Sequence, residues 1–476
     1  MQDTQSIKKN FAYKSVLTLS TYVMSFITFP YVSRVLGVER IGLVNFVDNT
    51  VNYFLLFATL GVNLLGVREI AGAKNDMDRQ SKIFSNILGI NLLFTILILA
   101  VYIVAIFLIP RFQQLSELFF IGTAKILFTT FLVEWFFTGI ENFKYITIRS
   151  LLVKLLYVLA VFIFIKTSDD YKLYFILTVG VVVVNATINM LYVRKFVSIS
   201  FADLFMVRYI KQNMVLGIYT IMTSMYITFN VMFLGLVSND TEVGYYTTAF
   251  KLYSVVLGFF TAFTNVMLPR MSFLLANGEK DRFNELISKS FSVMSTFIVP
   301  LILCSIIMAP QIIYVLSGPG YEGAILPMRI IMPAALFVGI AQVLAVQVIM
   351  PLRRDKVLLL ASFVGAIVSL IINICVVSQL RSVGSAIVLL SAETVVTATY
   401  IIYALKVHIF NFPISKIVRS ILLSTPCGII CLLCAFYIEN SYISLLCSMI
   451  FSFLVLSLFY RKNILIILNI IKFNNE

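Results

Sequence analysis

The sequence predicts an all-α polytopic membrane protein with about fourteen transmembrane helices. Three observations carry that fold class. First, 60% of the 476 residues are apolar and only 12% charged. A soluble domain is close to half apolar and a quarter charged, and one globular core cannot hide such an excess. Second, apolar runs of roughly 20 residues, the length that crosses a bilayer as a helix, recur from end to end. Third, basic residues alternate in density from one connection to the next, as they do when short cytoplasmic loops are enriched in Lys and Arg.

The predicted spans, to within a few residues, are 11–36, 41–66, 83–109, 118–140, 146–166, 173–193, 213–238, 243–268, 289–316, 325–350, 357–378, 384–406, 417–438 and 443–460. The first follows a basic N-terminus and is separated from the second by a short outer turn with Arg40. A charged inner loop, "REIAGAKNDMDRQSK", leads to the third, and Arg111 alone marks the next outer turn. Lys166 and Lys172 flank Asp169–Asp170, read as a solvated outer turn. After the eighth span comes a second charged inner loop, "PRMSFLLANGEKDRFNELISK", and Arg381 marks the outer turn before the twelfth. Alternate connections, with the helix ends beside them, hold 26 of the 36 basic residues and the intervening ones hold five; Arg34, Lys125, Lys154, Lys251 and Arg329 fall inside spans. The asymmetry puts both termini in the cytoplasm.

The net charge of +14 is mostly this topological signal. It does not argue for nucleic acid, although basic loops suit an anionic lipid leaflet. The first apolar run is too long for a cleavable signal and lacks a small-residue cleavage site. The tail "RKNILIILNIIKFNNE" is apolar but short, and is expected to lie at the interface. All six cysteines are in spans. Cys427, Cys431 and Cys434 share one helix face, but a metal site needs thiolates with further ligands, and the single histidine, His408, is in a distant connection. They read as small packing residues, and no metal site is expected.

A shift of 202 residues pairs Gly42 with Gly244, Leu55 with Leu257, Phe57 with Phe259, Asn63 with Asn265 and Arg68 with Arg270. Both segments follow a short outer turn and end in a charged inner loop, so the repeat is parallel. Two six-helix lobes, 1–205 and 206–410, followed by a helix pair and cytoplasmic tail at 411–476, account for the count. Transporters are commonly built from such repeats, with the site between them.

Lys251 is the one charge between Glu242 and Arg270. Stepping from it by three and four gives Thr247, Thr248, Ser254, Gly258, Thr261 and Asn265. The matching helix carries Asn45, Asp48, Asn49, Asn52, Thr59 and Asn63, with Asn49 aligned to Lys251. Lipid cannot satisfy a polar stripe on an apolar helix, so these stripes face a wet cavity between the lobes or form an interhelical hydrogen-bond network. The cavity reading makes Asp48 a partner for Lys251 across the lobes. Arg34, Lys154 and Arg329 lie near span ends, where long side chains reach water, and serve either the helix end or the site. Lys125 is deeper. Glu134 and Glu393 are near mid-span, and either couple transport to H+ or Na+ or fix helix contacts. Lys125 and Glu134 are about half a turn out of phase and do not pair along one face. Pro30, Pro300, Pro310, Pro327 and Pro333 fall in or near spans as bends or static kinks.

With these residues in view the chain resembles the lipid-linked oligosaccharide (O-antigen and capsule repeat-unit) flippases of the multidrug/oligosaccharidyl-lipid/polysaccharide exporter superfamily. The resemblance runs over essentially the whole chain. It is carried by "FPYVSRVLGVERIGLVNF" at 29–46, "EWFFTGIENFKYITIRSLLVK" at 134–154, "VGYYTTAFKL" at 243–252 and "NICVVSQLRSVGSAIVLLSAE" at 373–393, the first two being the more specific. It implies transfer of an undecaprenyl-pyrophosphate-linked oligosaccharide from the cytoplasmic to the outer leaflet of a bacterial cytoplasmic membrane, with no cofactor beyond a coupling ion. Lys251 would attract the pyrophosphate, and Asp48, Asn49, Asn52, Thr247, Asn265, Arg34, Lys125 and Arg329 would line the cavity. The polyprenyl tail would stay in lipid through a gap between lobes, and the partners would be membrane lipids and the pathway's polysaccharide polymerase and glycosyltransferases.

Other readings stay open. A cation-coupled multidrug exporter of the same superfamily would favour an acidic or aromatic cavity, whereas the intramembrane charges here are mostly basic. A peptidoglycan-precursor flippase would carry arginine-rich first helices that this chain lacks. A membrane-embedded polymerase or glycosyltransferase would need a substantial extramembrane loop, and no GxxxxGK[ST] phosphate loop supports a nucleotide-driven pump.

Overall fold

The computed structural model describes residues 7–73, 76–199, 207–407 and 413–459. Among them every regular element is helical. Ten helices are long and apolar enough to cross a membrane, which makes the chain a multi-pass membrane protein. The expected fourteen separate spans are not the count obtained. Two of the ten, Tyr13–Thr59 with 47 residues and Asp355–Lys406 with 52, are far longer than a bilayer needs, and each contains a break. Gly37 (φ 76°, ψ 167°) interrupts the first and Arg381 (φ 49°, ψ −122°) the second, at the turns expected after 36 and 378. The helical segments over 213–238 and 243–268 fall outside the ten. The tail 461–476, His408 and the lobe boundary at 205–206 lie outside the described residues.

The helices gather into two compact units, Met1–Gly244 and Tyr245–Glu476. In the first are α1 (Ile7–Thr59), α2 (Val62–Gly72), α3 (Met77–Leu108), α4 (Pro110–Gln114), α5 (Ser116–Thr129), α6 (Glu134–Gly139), α7 (Phe143–Phe164), α8 (Tyr171–Val193), α9 (Val207–Ser224) and α10 (Thr228–Val237). α9 and α10 group with this unit because both pack on α1. The second unit takes most of α11 (Asp240–Ala276), then α12 (Lys280–Ile307), α13 (Ala309–Ser317), α14 (Ile325–Ile331), α15 (Ala334–Gln342), α16 (Asp355–Ile372), α17 (Ser378–Lys406), α18 (Ile414–Tyr437) and α19 (Ser441–Phe459).

Local chemistry sets many of the ends. Asp76 caps α3, its carboxylate accepting from the Arg79 N–H at 2.9 Å, and Asn142 caps α7 by accepting from the Tyr145 N–H. Each satisfies one of the N–H groups a helix start leaves unpaired. Pro110 and Pro310 stand in first turns, where a missing N–H costs nothing. Of the five prolines singled out by sequence, only Pro30 and Pro300 are in helix interiors; Pro327 is in the first turns of α14 and Pro333 precedes α15.

Packing inside the first unit is aromatic. Val62, Leu65 and Ile70 of α2 pack with Phe84 and Ile87 of α3 and with Trp135, Phe136 and Phe137 of α6. The Phe84 and Trp135 rings stack at 5.4 Å. Gly66 permits this, because a Cβ there would lie 2.4 Å from the Trp135 ring. Lipid tails are as apolar as leucine, so association in a bilayer rests on this close fit more than on water exclusion. The complementary surface, including Leu156 of α7 and Phe453 of α19, is left exposed, as a lipid-facing side must be.

Candidate translocation site

In the first unit the polar residues of α1 meet the lysine of α5. Lys125 Nζ lies 2.6 Å from Asp48 Oδ1, and Asn52 Nδ2 donates to Asp48 Oδ2 at 3.2 Å. Lys125 is buried and Asp48 half-buried. Asp48, expected as a partner for Lys251 across the lobes, has its carboxylate held by Lys125 within its own unit. Asn49, aligned with Lys251 by the repeat, donates Nδ2 to the Asn45 carbonyl of its own helix at 2.8 Å. An unpaired lysine or aspartate at such a depth would be costly, and each answers the other.

Glu134 and Arg149 form another ion pair of the unit. The helix that sequence runs through 118–140 is broken: a 3-10 turn, Thr130–Leu132, leads to Val133 in the left-handed region (φ 37°), and Glu134 opens α6. Glu134 is therefore in the first turn of a short helix, not in mid-helix. Its Oε1 lies 2.5 Å from Arg149 Nη2, with the Arg149 side chain 4% exposed and that of Glu134 44%. By sequence Arg149 counts among the basic residues flanking the 141–145 connection, yet it is buried. The turn joining α6 to α7 brings residues 15 apart face to face, which was the available signal.

The long cations expected near span ends donate to carbonyls and hydroxyls close by. Arg34 donates Nη1 to the Pro30 carbonyl at 2.7 Å. Lys154 donates Nζ to the Thr21 and Ser20 hydroxyls at 2.7 and 3.1 Å. In the second unit, exposed Arg329 donates Nε to the Ile306 carbonyl at 3.0 Å.

Also in the second unit, α11 presents Lys251 half-buried, with Thr247 and Thr248 buried one turn before it. The Ser254 hydroxyl donates to the Lys251 carbonyl at 2.6 Å. The Asn265 side chain lies outside the described residues. Glu393 of α17 is buried and accepts from the Tyr253 hydroxyl at 3.4 Å, a contact from a residue the sequence reading did not single out. Cys427, Cys431 and Cys434 are buried, and Cys431 lies 3.2 Å, sulfur to sulfur, from Cys304 of α12.

What this chemistry offers is a set of polar and charged side chains inside apolar helices. The comparisons with known proteins agree in kind. A protein of Escherichia coli (strain K12) named "Putative O-antigen transporter" is 25% identical over 405 residues, 84% of this chain and 96% of that protein. Among solved structures, the lipid II flippase MurJ in an inward closed conformation superposes with a TM-score of 0.75 at 16% identity, covering 95% of this chain and 99% of that one. An inward-facing multidrug resistance transporter of the MATE family gives a TM-score of 0.57 at 13% identity, over 83% of this chain and 98% of that one. At these identities the two structural likenesses speak for the fold alone. The profile of the polysaccharide biosynthesis protein family matches residues 7–275, more than half of the sequence, and the chain belongs to that family.

Proposed function

We propose that the protein is a flippase that moves an undecaprenyl-pyrophosphate-linked oligosaccharide repeat unit from the cytoplasmic to the outer leaflet of a bacterial inner membrane. The transfer would run by alternating access and feed assembly of a surface polysaccharide. The observation that weighs most is the cluster of half-buried Asp48 and Asn52 with buried Lys125, set in the apolar helices of a polysaccharide-biosynthesis family member. Sugar hydroxyls and an anionic head group need such partners, which hydrocarbon cannot supply. The match to a protein named as an O-antigen transporter supports the same cargo. The multidrug exporters that share the fold would instead favour an acidic or aromatic cavity. Lys251 is read as the cation that attracts the pyrophosphate, and Glu393, a buried carboxylate, as the group that couples transfer to H+ or Na+.

The test is direct. Cells lacking the protein should accumulate lipid-linked repeat units accessible only from the cytoplasmic side, with surface polysaccharide lost. Vesicles containing the purified protein should expose the fluorescently tagged lipid on both leaflets, faster under a pH or sodium gradient. Accumulation of sugar precursors before the lipid-linked stage would overturn the reading. If Glu393→Gln responded to the gradients as wild type does, the coupling role would be lost while the cargo stood.

A further inference from the structure

The first unit carries a groove that the translocation chemistry does not use. It lies against α7 and α8, has a volume of about 660 Å³, and is polar at one end only. That end is formed by Asn142, Lys144 and Arg149; along the remainder the wall is Ile148, Leu152 and Leu156. These three stand on successive turns of α7 and cover about 12 Å of helix, close to the ~15 Å hydrocarbon depth of one leaflet. They are open to the surroundings, Leu152 57% and Leu156 63% exposed.

The polar end is unfinished. Arg149 gives Nη2 to Glu134 at 2.5 Å and to Ser150 Oγ at 2.8 Å, while its buried Nε and Nη1 have no hydrogen-bond partner. A buried guanidinium with two unpartnered nitrogens is an unusual feature, because buried donors are normally paired. The charge balance there is basic: Arg149 lines this end, Lys144 is exposed at it, and Lys195 sits 5.3 Å over the Tyr192 ring, against the carboxylates of Glu134 and of Glu141, which precedes Asn142. The floor is rigid. The Tyr145 and Tyr192 rings stack at 4.0 Å and 19°, and the Tyr145 hydroxyl is taken up by Asn189 Oδ1 at 2.9 Å.

We propose that this groove is a binding site for an anionic phospholipid, its phosphodiester held by Lys144 and Arg149 and one acyl chain laid along Ile148, Leu152 and Leu156. The size and sign of the polar end suit one phosphate. Past Arg149 the wall offers no polar side chain to a saccharide, which argues against the transported lipid-linked sugar as occupant. On the topology argued from charge, the polar end faces the cytoplasmic leaflet, where basic side chains near an anionic surface attract it. The proposal is independent of the cargo.

Native mass spectrometry of the full chain in detergent, supplied with phosphatidylglycerol, phosphatidylcholine or undecaprenyl phosphate, reads the site. Phosphatidylglycerol should be retained over phosphatidylcholine, and Lys144→Glu should cut that retention by about fivefold or more, the worth of one cation beside an anionic lipid. Leu152→Trp, on an open surface that needs no repacking, should fill the groove and do the same without touching a charge. Arg149→Gln should abolish the preference. Equal retention of the two phospholipids, or retention unmoved by both Lys144→Glu and Leu152→Trp, overturns the proposal. Preferential retention of undecaprenyl phosphate, lost in the same variants, would overturn it in favour of the cargo lipid.

Discussion

Lys125 and Asp48 lie 2.6 Å apart on α5 and α1, largely out of water. Removing one partner of a buried pair leaves the other charge uncompensated, at about 3–5 kcal/mol when burial is complete and less here because the Asp48 side chain is 23% exposed. Lys125→Ala is expected to lower the amount of protein in the membrane. Asp48→Asn combined with Lys125→Met should recover most of that amount, since replacing both members of a pair by neutral groups is often neutral. Immunoblots of membranes report the order, and equal levels in all three proteins would deny the pair a structural share. Lys251 should behave in the opposite way. Lys251→Ala is expected to leave a near-normal amount of protein and to abolish surface polysaccharide, with Lys251→Arg keeping part of the export. Normal export by Lys251→Ala would make the residue a bystander, and disappearance of the protein would make it structural. Helical spacing put Asp48 on a polar stripe and picked out Lys125 as a deep charge, but it could not pair them. The residues are 77 apart in sequence, and periodicity reports only a residue's own helix.

At the scale of elements, the two glycines that the repeat aligns, Gly42 of α1 and Gly244 of α11, are in contact. A Cβ on Gly42 would lie 1.7 Å from the Asp240 carbonyl oxygen and 2.6 Å from the Gly244 nitrogen; one on Gly244 would lie 2.3 Å from the Val38 oxygen. Small residues let helix backbones approach this closely in a membrane, and the obstacles here are backbone atoms that cannot rotate aside. Nearby, the Arg111 guanidinium holds Asp240 at 2.5 Å. Gly42→Ala is expected to destabilise by at least the ~1–3 kcal/mol of an overpacked core, seen as a lower thermal unfolding midpoint. Gly180→Ala in α8 meets nothing within 4 Å and should be neutral or slightly stabilising, since alanine is the better helix former by about 1 kcal/mol. Equal midpoints for the two variants would show that the crossing relaxes freely. The breaks are a different case. Gly37 could be read from its type, because its φ of 76° with ψ of 167° is a region essentially restricted to glycine. Val133 could not, because a β-branched residue in the left-handed region runs against its own preference and only its surroundings hold it there.

For the whole molecule, the basic connections alternate with poor ones, and this predicts an orientation with both termini in the cytoplasm. Reporter fusions placed after Lys82 and after Lys211 are both expected to report the cytoplasm. A periplasmic signal at either would break the topology and, with it, the leaflet assigned to the α7–α8 groove. The same charge count also misled at one point. It treats Arg149 as a loop-flanking cation, whereas the side chain is 4% exposed and bound to Glu134. Charge counting has no term for depth, and a residue one turn inside a helix is buried or wet according to what packs over it.

The sequence by itself determined the membrane class, the helical content, the approximate positions of the apolar segments and the polar character of α1 and α11. All of these depend on composition and on short-range periodicity, which the bilayer reads residue by residue. Tertiary structure alone decided that Asp48 answers Lys125, that Glu134 opens a short helix and answers Arg149, that Tyr253 reaches Glu393, and that Gly42 lies on Gly244. Such pairings are contacts between helices distant in sequence, chosen by close packing and by the cost of an unpaired charge in hydrocarbon. A single helix carries no record of its neighbour.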